Sequence, residues 1–314
     1  MKKQSYCQIT EHTEVMPGTM RMTVIEPDIA AASRPGQFVN VICGPCMDPL
    51  LRRPLSIYSV DKNRGEFSIL YQVRGRGTVM LSQKKVGEKL DVVGPIGRSF
   101  DIDPSENVEH ILVGGGCGIV PLLFLADVLQ EEAKGKVVVL IGAQTAGSIL
   151  CASEFVDRDL PVELTTDDGT AGKQGFVTDT LIEHLNNLDK KTQPRIYACG
   201  PHEMLKQIAK IAANPQPSTI LDASACSSKP KPTVVMPASA PKNEPKHRVS
   251  LPSTLNPQPI PCQVSLESAM ACGFGVCMGC VTKTHDPNCD CHDWSYKRVC
   301  VDGPVFYTTE LIWE

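Results

Sequence analysis

The sequence lacks any apolar segment close to the roughly 18 consecutive residues of a membrane-spanning helix, so we expect no membrane span. Aromatic residues make up only 5% of the chain, the formal net charge is -4, and no basic stripe with interleaved aromatic side chains is present. We therefore do not expect a nucleic-acid partner. The opening MKKQSYCQITEHTEV contains two lysines but no apolar stretch after them, unlike a secretory signal, and we expect a cytoplasmic protein.

Cysteine, by contrast, is abundant, with 14 in 314 residues. The chain is long enough for two or three domains, and in a cytoplasmic protein closely spaced cysteines indicate metal binding or redox chemistry rather than disulfides. Isolated cysteines in apolar surroundings, such as Cys43 and Cys151, are interpreted as small buried hydrophobic residues.

Two folded regions are predicted before residue 214. Residues 1–102 contain short apolar runs between turn residues, among them QFVNVIC, PLSIYSV and EFSILYQV, which predict an all-β sandwich or barrel. Residues 103–213 alternate strand-like runs such as KVVVLIGA and RIYACG with helical patterns such as PLLFLADVLQEEAKGK. This alternation predicts a doubly wound parallel α/β domain.

A Pro-rich segment, residues 214–260, follows with ten prolines and no Phe, Trp or Tyr. A segment of this composition has too little apolar surface to bury to offset an ordering entropy of about 1–2 kcal/mol per residue. We therefore predict a flexible linker or insertion. Residues 261–314 are predicted to form a small cysteine-rich domain that opens with a strand in PCQVSLESAM.

The first region carries a candidate phosphate and ring-binding pattern. An arginine at a strand start can bind a diphosphate through charge-assisted hydrogen bonds, and a serine three residues later can reach a ring heteroatom. A glycine-threonine pair opens a helical turn whose free N–H groups can receive phosphate. The candidate residues are Arg53, Pro54, Leu55, Ser56, Leu70, Tyr71, Gln72, Gly77 and Thr78.

The second region carries a glycine-rich turn and a Cys-Gly-Pro motif. Glycines let the backbone approach a pyrophosphate closely, and the helix predicted to begin at Pro121 directs the positive end of its dipole at the anion. Cys-Gly-Pro follows the strand RIYA, at the sheet edge where α/β proteins bind ligands, although a buried inert thiol is the alternative for Cys199. The candidate residues are Gly114, Gly115, Gly116, Gly118, Cys199, Gly200 and Pro201.

The most specific pattern is Cys272-x4-Cys277-x2-Cys280, which is the plant-type spacing of a 2Fe-2S centre. Its three glycines let the loop wind around the sulfides and direct backbone N–H groups at them. The fourth ligand is open between Cys289, Cys291 and Cys300. A tetrahedral zinc site that uses Cys277, Cys280 and one of Cys289, Cys291 or His292 is the competing interpretation.

These motifs together resemble those of the ferredoxin–NADP reductase superfamily. Within it, RRPLSI, GRGT, GGGCGIVP, YACGPHEML, CQVSLESAMACGFGVCMGC and YKRVCVDGPVF resemble the electron-transfer subunits of NAD-dependent dihydroorotate dehydrogenases. The likeness covers residues from about 6 to 213 and from about 261 to 310, and the Pro-rich segment departs from it.

The resemblance implies a six-stranded antiparallel flavin-binding barrel, a nicotinamide-dinucleotide domain and a 2Fe-2S domain. It also implies FAD on the barrel residues, NAD as co-substrate, Cys199 beside the nicotinamide ring, and a cluster on Cys272, Cys277, Cys280 and Cys300. The implied partner is an FMN-containing catalytic subunit, in a heterotetramer with two subunits of each kind.

Two alternatives remain at this point. The first is the small subunit of an NADH-dependent ferredoxin–NADP reductase or a sulfide dehydrogenase, which shares the same parts; a carboxylate in place of one cluster cysteine would favour it. The second is a zinc-binding or redox-sensing interaction module without enzymatic activity.

Overall fold

The computed structural model describes residues 3–44, 48–215, 258–287 and 293–313. Six antiparallel strands close a barrel in the order β1-β2-β5-β4-β3-β6, with a short helix after β2 and another after β5. The predicted six-stranded barrel is thus confirmed. The elements are β1 (Lys3–Met16), β2 (Thr19–Ile25), α1 (Pro27–Ala32), β3 (Phe38–Val41), β4 (Arg53–Asp61), β5 (Glu66–Gln72), α2 (Arg76–Ser82) and β6 (Lys89–Ile96).

The barrel closes around alternate apolar residues of its strands. Burial of each such side chain contributes about 1.5–3 kcal/mol relative to exposure, which is what holds neighbouring strands in register. The fully buried interior residues include Ile9, Met22, Val24, Val39, Val41, Ile57, Ile69, Leu90 and Val92.

The second region forms the predicted doubly wound parallel sheet. Its strands lie in the order β10-β9-β8-β7-β11, and helices cover both faces. The helix after the glycine-rich turn begins at Val120, one residue earlier than predicted, and follows a short 3-10 turn at Gly116–Ile119. The elements are β7 (Val108–Gly115), α3 (Val120–Glu132), β8 (Lys136–Ala143), α4 (Ala152–Val156), β9 (Val162–Thr166), β10 (Lys173–Gln174), α5 (Val177–Asn187), β11 (Gln193–Cys199) and α6 (His202–Ala213).

Alternation along β7 explains the two layers of helices. Leu112 lies in the same apolar core as Leu125 of α3, whereas Ile111 shares a core with Leu181 of α5 and Ile208 of α6. Successive side chains of a strand point to opposite faces, so a continuous apolar run must be covered on both.

The C-terminal region extends this sheet. β12 (Cys262–Ser265) pairs in parallel with β11, β15 (Val305–Tyr307) pairs antiparallel with β12, and β13 (Val281–His285) and β14 (Trp294–Arg298) form a separate hairpin. The boundary predicted at residue 261 therefore falls next to a strand of the shared sheet. Most of the predicted linker, residues 216–257, lies outside the described residues.

Within the described parts of the chain, the helices are all too short or too polar to cross a membrane.

Candidate functional site

A cavity of about 300 Å³ opens where the barrel, the parallel sheet and the C-terminal region meet. The barrel contributes through β4 and β5, which are hydrogen-bonded neighbours, and the sheet contributes through the end of β11. Sequence motifs more than 140 residues apart therefore converge on one space. The predicted site residues that line it are Pro54, Leu55, Ser56, Leu70, Tyr71, Gln72, Thr78 and Cys199.

Tyr71 is fixed in the cavity wall by His12. His12 Nδ1 lies 2.8 Å from the carbonyl oxygen of Lys84, so this nitrogen is the donor, and Nε2 accepts from the Tyr71 hydroxyl at 2.9 Å. Burial raises the pKa of Tyr71, so the phenol stays neutral. The ring thus presents a rigid, uncharged surface to the cavity.

Arg53 and Gly77 lie together but outside the cavity lining. Arg53 Nη1 donates to the carbonyl oxygen of Leu51 at 2.6 Å, and a side chain at Gly77 would contact Arg53 Nε at 3.0 Å. Thr78 Oγ1 accepts from the backbone nitrogens of Arg74 and Gly75 at 3.0 and 3.2 Å, which holds the start of α2 in place. A cationic guanidinium is therefore held against the backbone at the start of α2.

The glycine-rich turn packs directly on the Cys-Gly-Pro motif. A Cβ atom at Gly118 would overlap the carbonyl group of Cys199 and the backbone nitrogen of Gly200. A Cβ atom at Gly115 would meet Cδ of Pro201 at 2.9 Å. Gly116 adopts a φ of 53°, a left-handed conformation that favours glycine. The two motifs form one surface because these positions have no side chain.

Cys199 is a neutral thiol in this surface. It is 3% exposed, and burial raises its pKa to about 12, although a hydrogen bond from the Ser265 side chain acts in the opposite direction. A thiol that stays protonated at neutral pH is suited to packing against a ligand and not to nucleophilic attack.

Several lining residues escaped the sequence predictions. Cys117, Glu267 and Pro304 lie inside the quoted motifs GGGCGIVP, CQVSLESAMACGFGVCMGC and YKRVCVDGPVF, so their position could have been found. Phe38 lies in the apolar run QFVNVIC, which predicts a strand but no ligand contact. The additional lining residues are Phe38, Arg74, Cys117, Val120, Pro121, Ser265, Leu266, Glu267, Ser268, Met270 and Pro304.

Cys272 and Cys277 form one half of the cysteine cluster. The backbone nitrogens of Phe274 and Gly279 lie 3.4 Å from Cys272 Sγ and Cys277 Sγ. Hydrogen bonds from the backbone N–H groups of Cys277 and Phe274 lower the pKa of Cys272 to about 6, and the Cys277 side chain also hydrogen-bonds to this sulfur. Backbone donors directed at a thiolate are what an iron–sulfur loop requires.

Cys280 and Cys300 form the other half. They are 3% and 0% exposed, their side chains hydrogen-bond, and the N–H of Gly275 is directed at Cys300. Burial raises the pKa of the Cys300 thiol to about 12. The competing ligands Cys289, Cys291 and His292 lie outside the described residues.

The paired arrangement bears on the kind of metal centre. In a 2Fe-2S centre four thiolates are shared between two irons, which matches two pairs of sulfurs. The described cysteines therefore fit a two-iron cluster.

Comparison with known proteins agrees with this division of the chain. An oxidoreductase FAD-binding domain matches residues 6–100, an oxidoreductase NAD-binding domain matches residues 112–210, and the iron-sulfur cluster binding domain of dihydroorotate dehydrogenase B matches residues 267–312. The dihydroorotate dehydrogenase B (NAD(+)) electron transfer subunit of Desulforamulus reducens is 34% identical over 300 residues, which cover 96% of this chain and 95% of that protein. The chain belongs to this family of electron-transfer subunits.

Other members and a solved structure extend the likeness. The corresponding subunit of Geobacillus sp. (strain WCH70) is 32% identical over 99% of this chain and 100% of its own length. The structure of an NADH-dependent reduced ferredoxin-NADP oxidoreductase superposes with a TM-score of 0.72 at 25% identity, over 98% of this chain and 90% of that one.

As a member of the dihydroorotate dehydrogenase B electron-transfer family, the chain is an oxidoreductase subunit with FAD-binding, NAD-binding and iron–sulfur domains. All three domains contribute to the cavity, through Tyr71 from the first, Cys199 from the second and Met270 from the third. The interpretation as a non-enzymatic zinc or redox-sensing module is therefore set aside.

Proposed function

We propose that the chain is the electron-transfer subunit of a dihydroorotate dehydrogenase that uses NAD+, in pyrimidine biosynthesis. The observation that carries this proposal is the position of the cluster loop. Met270 lines the cavity, and the cluster ligand Cys272 follows two residues later, a separation of at most about 7 Å along an extended chain. A flavin in the cavity and a cluster in the loop would lie side by side.

The cavity residues are proposed to hold FAD. Ser56, Tyr71 and the other lining residues of β4 and β5 would pack against the flavin ring, and Arg53 beside Gly77 supplies a cation for the diphosphate. When bound, FAD exchanges single electrons with an iron–sulfur centre and a hydride with nicotinamide.

The surface made by the glycine-rich turn and Cys-Gly-Pro is proposed to receive NAD. Gly114, Gly115, Gly116 and Gly118 let the dinucleotide backbone approach, and Cys199 reaches the cavity wall from the same surface. A nicotinamide ring held there would meet the flavin at the position of Cys199, which would act by orienting the ring.

The cluster is proposed to be 2Fe-2S, with Cys272 and Cys277 on one iron and Cys280 and Cys300 on the other. The paired sulfurs and the backbone N–H groups directed at them support this assignment. The first three ligand positions are all cysteine, which argues against the branch in which a carboxylate replaces one ligand.

The cluster loop is also the proposed contact with the catalytic subunit. Phe274, Val276 and Met278 are 44%, 83% and 49% exposed around the cysteines, and exposed apolar side chains grouped in this way mark protein interfaces. We propose an FMN-containing partner that oxidises dihydroorotate, a heterotetramer of two subunits of each kind, and a cytoplasmic location. The ten cysteines of the described residues form no disulfide, which suits a reducing compartment.

The decisive experiment compares the isolated chain with the assembled enzyme. Purified, cofactor-loaded chain should oxidise NADH with ferricyanide but should not oxidise dihydroorotate. After co-purification with the catalytic subunit it should reduce NAD+ with dihydroorotate. Failure of the isolated chain to pass electrons from NADH to any acceptor would overturn the proposal.

The same assay separates the alternative function. The structural likeness to an NADH-dependent reduced ferredoxin-NADP oxidoreductase spans nearly the whole chain. If the chain instead assembles with a subunit that reduces NADP+ from NADH and ferredoxin, and not with a dihydroorotate-oxidising subunit, that function replaces the one proposed.

A further inference from the structure

Asn40 is a buried amide next to the cluster loop. Its side chain lies in β3 of the barrel and is 1% exposed. Neither Nδ2 nor Oδ1 has a hydrogen-bond partner among the residues that the structure describes. A buried amide without a partner costs free energy, so a ligand that satisfies it is expected.

The amide is directed at the residue that follows the first cluster cysteine. Gly273 has a φ of 72°, and a Cβ atom there would overlap Nδ2 of Asn40, with Oδ1 farther away at 3.7 Å. The N–H end of the amide therefore occupies the space that a side chain at position 273 would take. Gly273 adjoins Cys272, whose sulfur already accepts from backbone N–H groups.

The strand that carries Asn40 borders both the cavity and the apolar core that contains two of the cluster cysteines. Phe38, two residues earlier and on the same face of β3, lines the cavity and shares an apolar core with Cys280 and Cys300. Asn40 does not line the cavity. Its position thus favours a role toward the cluster and not toward the flavin.

We propose that the Asn40 amide donates a hydrogen bond to the thiolate of Cys272 in the cluster-loaded protein and raises the reduction potential of the cluster. This inference rests on the proposed function, because it requires an iron–sulfur cluster in the loop. A donor to a cluster sulfur stabilises the reduced state, which carries one more negative charge. Asn40 is then a positioning and tuning residue that the flavin barrel supplies to the cluster domain.

The test is a redox titration of the cluster, followed by electron paramagnetic resonance, in the purified chain. Asn40→Leu removes the amide at similar volume, and we expect a tenfold shift of the one-electron equilibrium against reduction, which is 59 mV for n = 1. Asn40→Asp keeps the size but replaces the donor with an anionic acceptor, and the potential should fall at least as far.

A second measurement distinguishes an effect on the reduction potential of the cluster from a general loss of stability. The melting temperature of the cluster-free Asn40→Leu chain should equal or exceed that of the cluster-free wild type, because the amide has no partner to lose within the described residues. The matched control is Gln263→Leu, which removes another amide that is 1% exposed but is bonded to the Asp101 backbone at 2.8 Å. Its cluster potential should equal that of the wild type.

Unchanged potentials in cluster-loaded Asn40→Leu and Asn40→Asp would overturn this inference alone, as would an equal fall in Gln263→Leu. A wild-type chain that assembles no iron–sulfur cluster would overturn the proposed function as well.

Discussion

Cys199 and Ser265 are register partners on the adjacent parallel strands β11 and β12, and their side chains hydrogen-bond. Cys199 is the last residue of β11. Ser265 begins the segment that lines the cavity and leads to the cluster cysteines. The pairing of β11 with β12 therefore places the proposed nicotinamide site and the segment that leads to the cluster cysteines on the same side of the cavity.

Replacement of Cys199 with alanine should slow hydride transfer. The thiol fills a position in the cavity wall, and a misplaced ring lowers the rate by up to about 100-fold, so we expect kcat for NADH oxidation with ferricyanide to fall roughly 10- to 100-fold. The flavin absorbance per chain should not change. Cys262→Ala is the control, since this buried thiol on β12 does not line the cavity. Equal kcat in both variants would contradict an orienting role for Cys199.

Gly118→Ala should push the glycine-rich turn away from the Cys-Gly-Pro motif. The new methyl group would overlap the backbone of Cys199 and Gly200, and overpacking of this kind costs about 1–3 kcal/mol. We expect that loss in the free energy of unfolding, together with a higher KM for NADH. Gly147→Ala is the control, because its nearest neighbour would be 3.8 Å away. A KM equal to that of the wild type would show that the contact does not shape the dinucleotide site.

Arg53→Ala should weaken FAD binding. A hydrogen bond to a charged group contributes about 1.5–3 kcal/mol, so we expect a roughly 10- to 100-fold higher Kd for FAD, measured by recovery of flavin binding in the deflavinated chain. Arg64→Ala serves as the control because this arginine is 70% exposed and pairs with Glu66 at the far end of the same strands. If both variants bind FAD equally well, Arg53 does not hold the diphosphate.

The fourth cluster ligand can be assigned by single substitutions. Cys300→Ser should abolish the visible absorbance of the cluster and keep the flavin bands, because Cys300 is the partner of Cys280 in the buried pair. Cys289→Ser and Cys291→Ser should keep both chromophores. Loss of the cluster in either of the latter variants, with Cys300→Ser unaffected, would assign the fourth ligand to Cys289 or Cys291 instead.

An all-β first region, the parallel sheet and the cysteine motif could be predicted because each depends on local patterns. Closure of the first region into a six-stranded barrel is implied only by the family resemblance. Short apolar runs between turn residues predict β3, β4 and β5, and the x4-x2 cysteine spacing predicts the cluster loop without reference to the rest of the chain. The site as a whole could not be predicted in the same way. The pairing of β12 with β11 and the contact of Asn40 with Gly273 join residues that are far apart in sequence, and no local pattern specifies such partners.

The buried thiols make the free energy of unfolding fall as the pH becomes alkaline. Burial raises the pKa of Cys262 to about 12, while a thiol in the unfolded chain ionises near 8.5. Between these values the unfolded state has lost a proton that the folded state keeps. The free energy of unfolding therefore falls as pH rises, by up to about 1.4 kcal/mol per pH unit for each such thiol, and is unaffected by it below about pH 8.

Urea unfolding at pH 7, 8, 9 and 10 measures this slope. Burial also raises the pKa of three other thiols, Cys7, Cys151 and Cys199, to about 12. The free energy of unfolding of the wild type should therefore fall steeply above pH 9. Cys262→Ala should reduce the slope by one proton. Ser33→Ala is the control and should lower stability equally at every pH, because it removes a buried hydroxyl that donates to the Ile29 carbonyl oxygen and no titrating group. An unchanged slope in Cys262→Ala would mean that this thiol ionises in the folded protein as readily as in the unfolded chain.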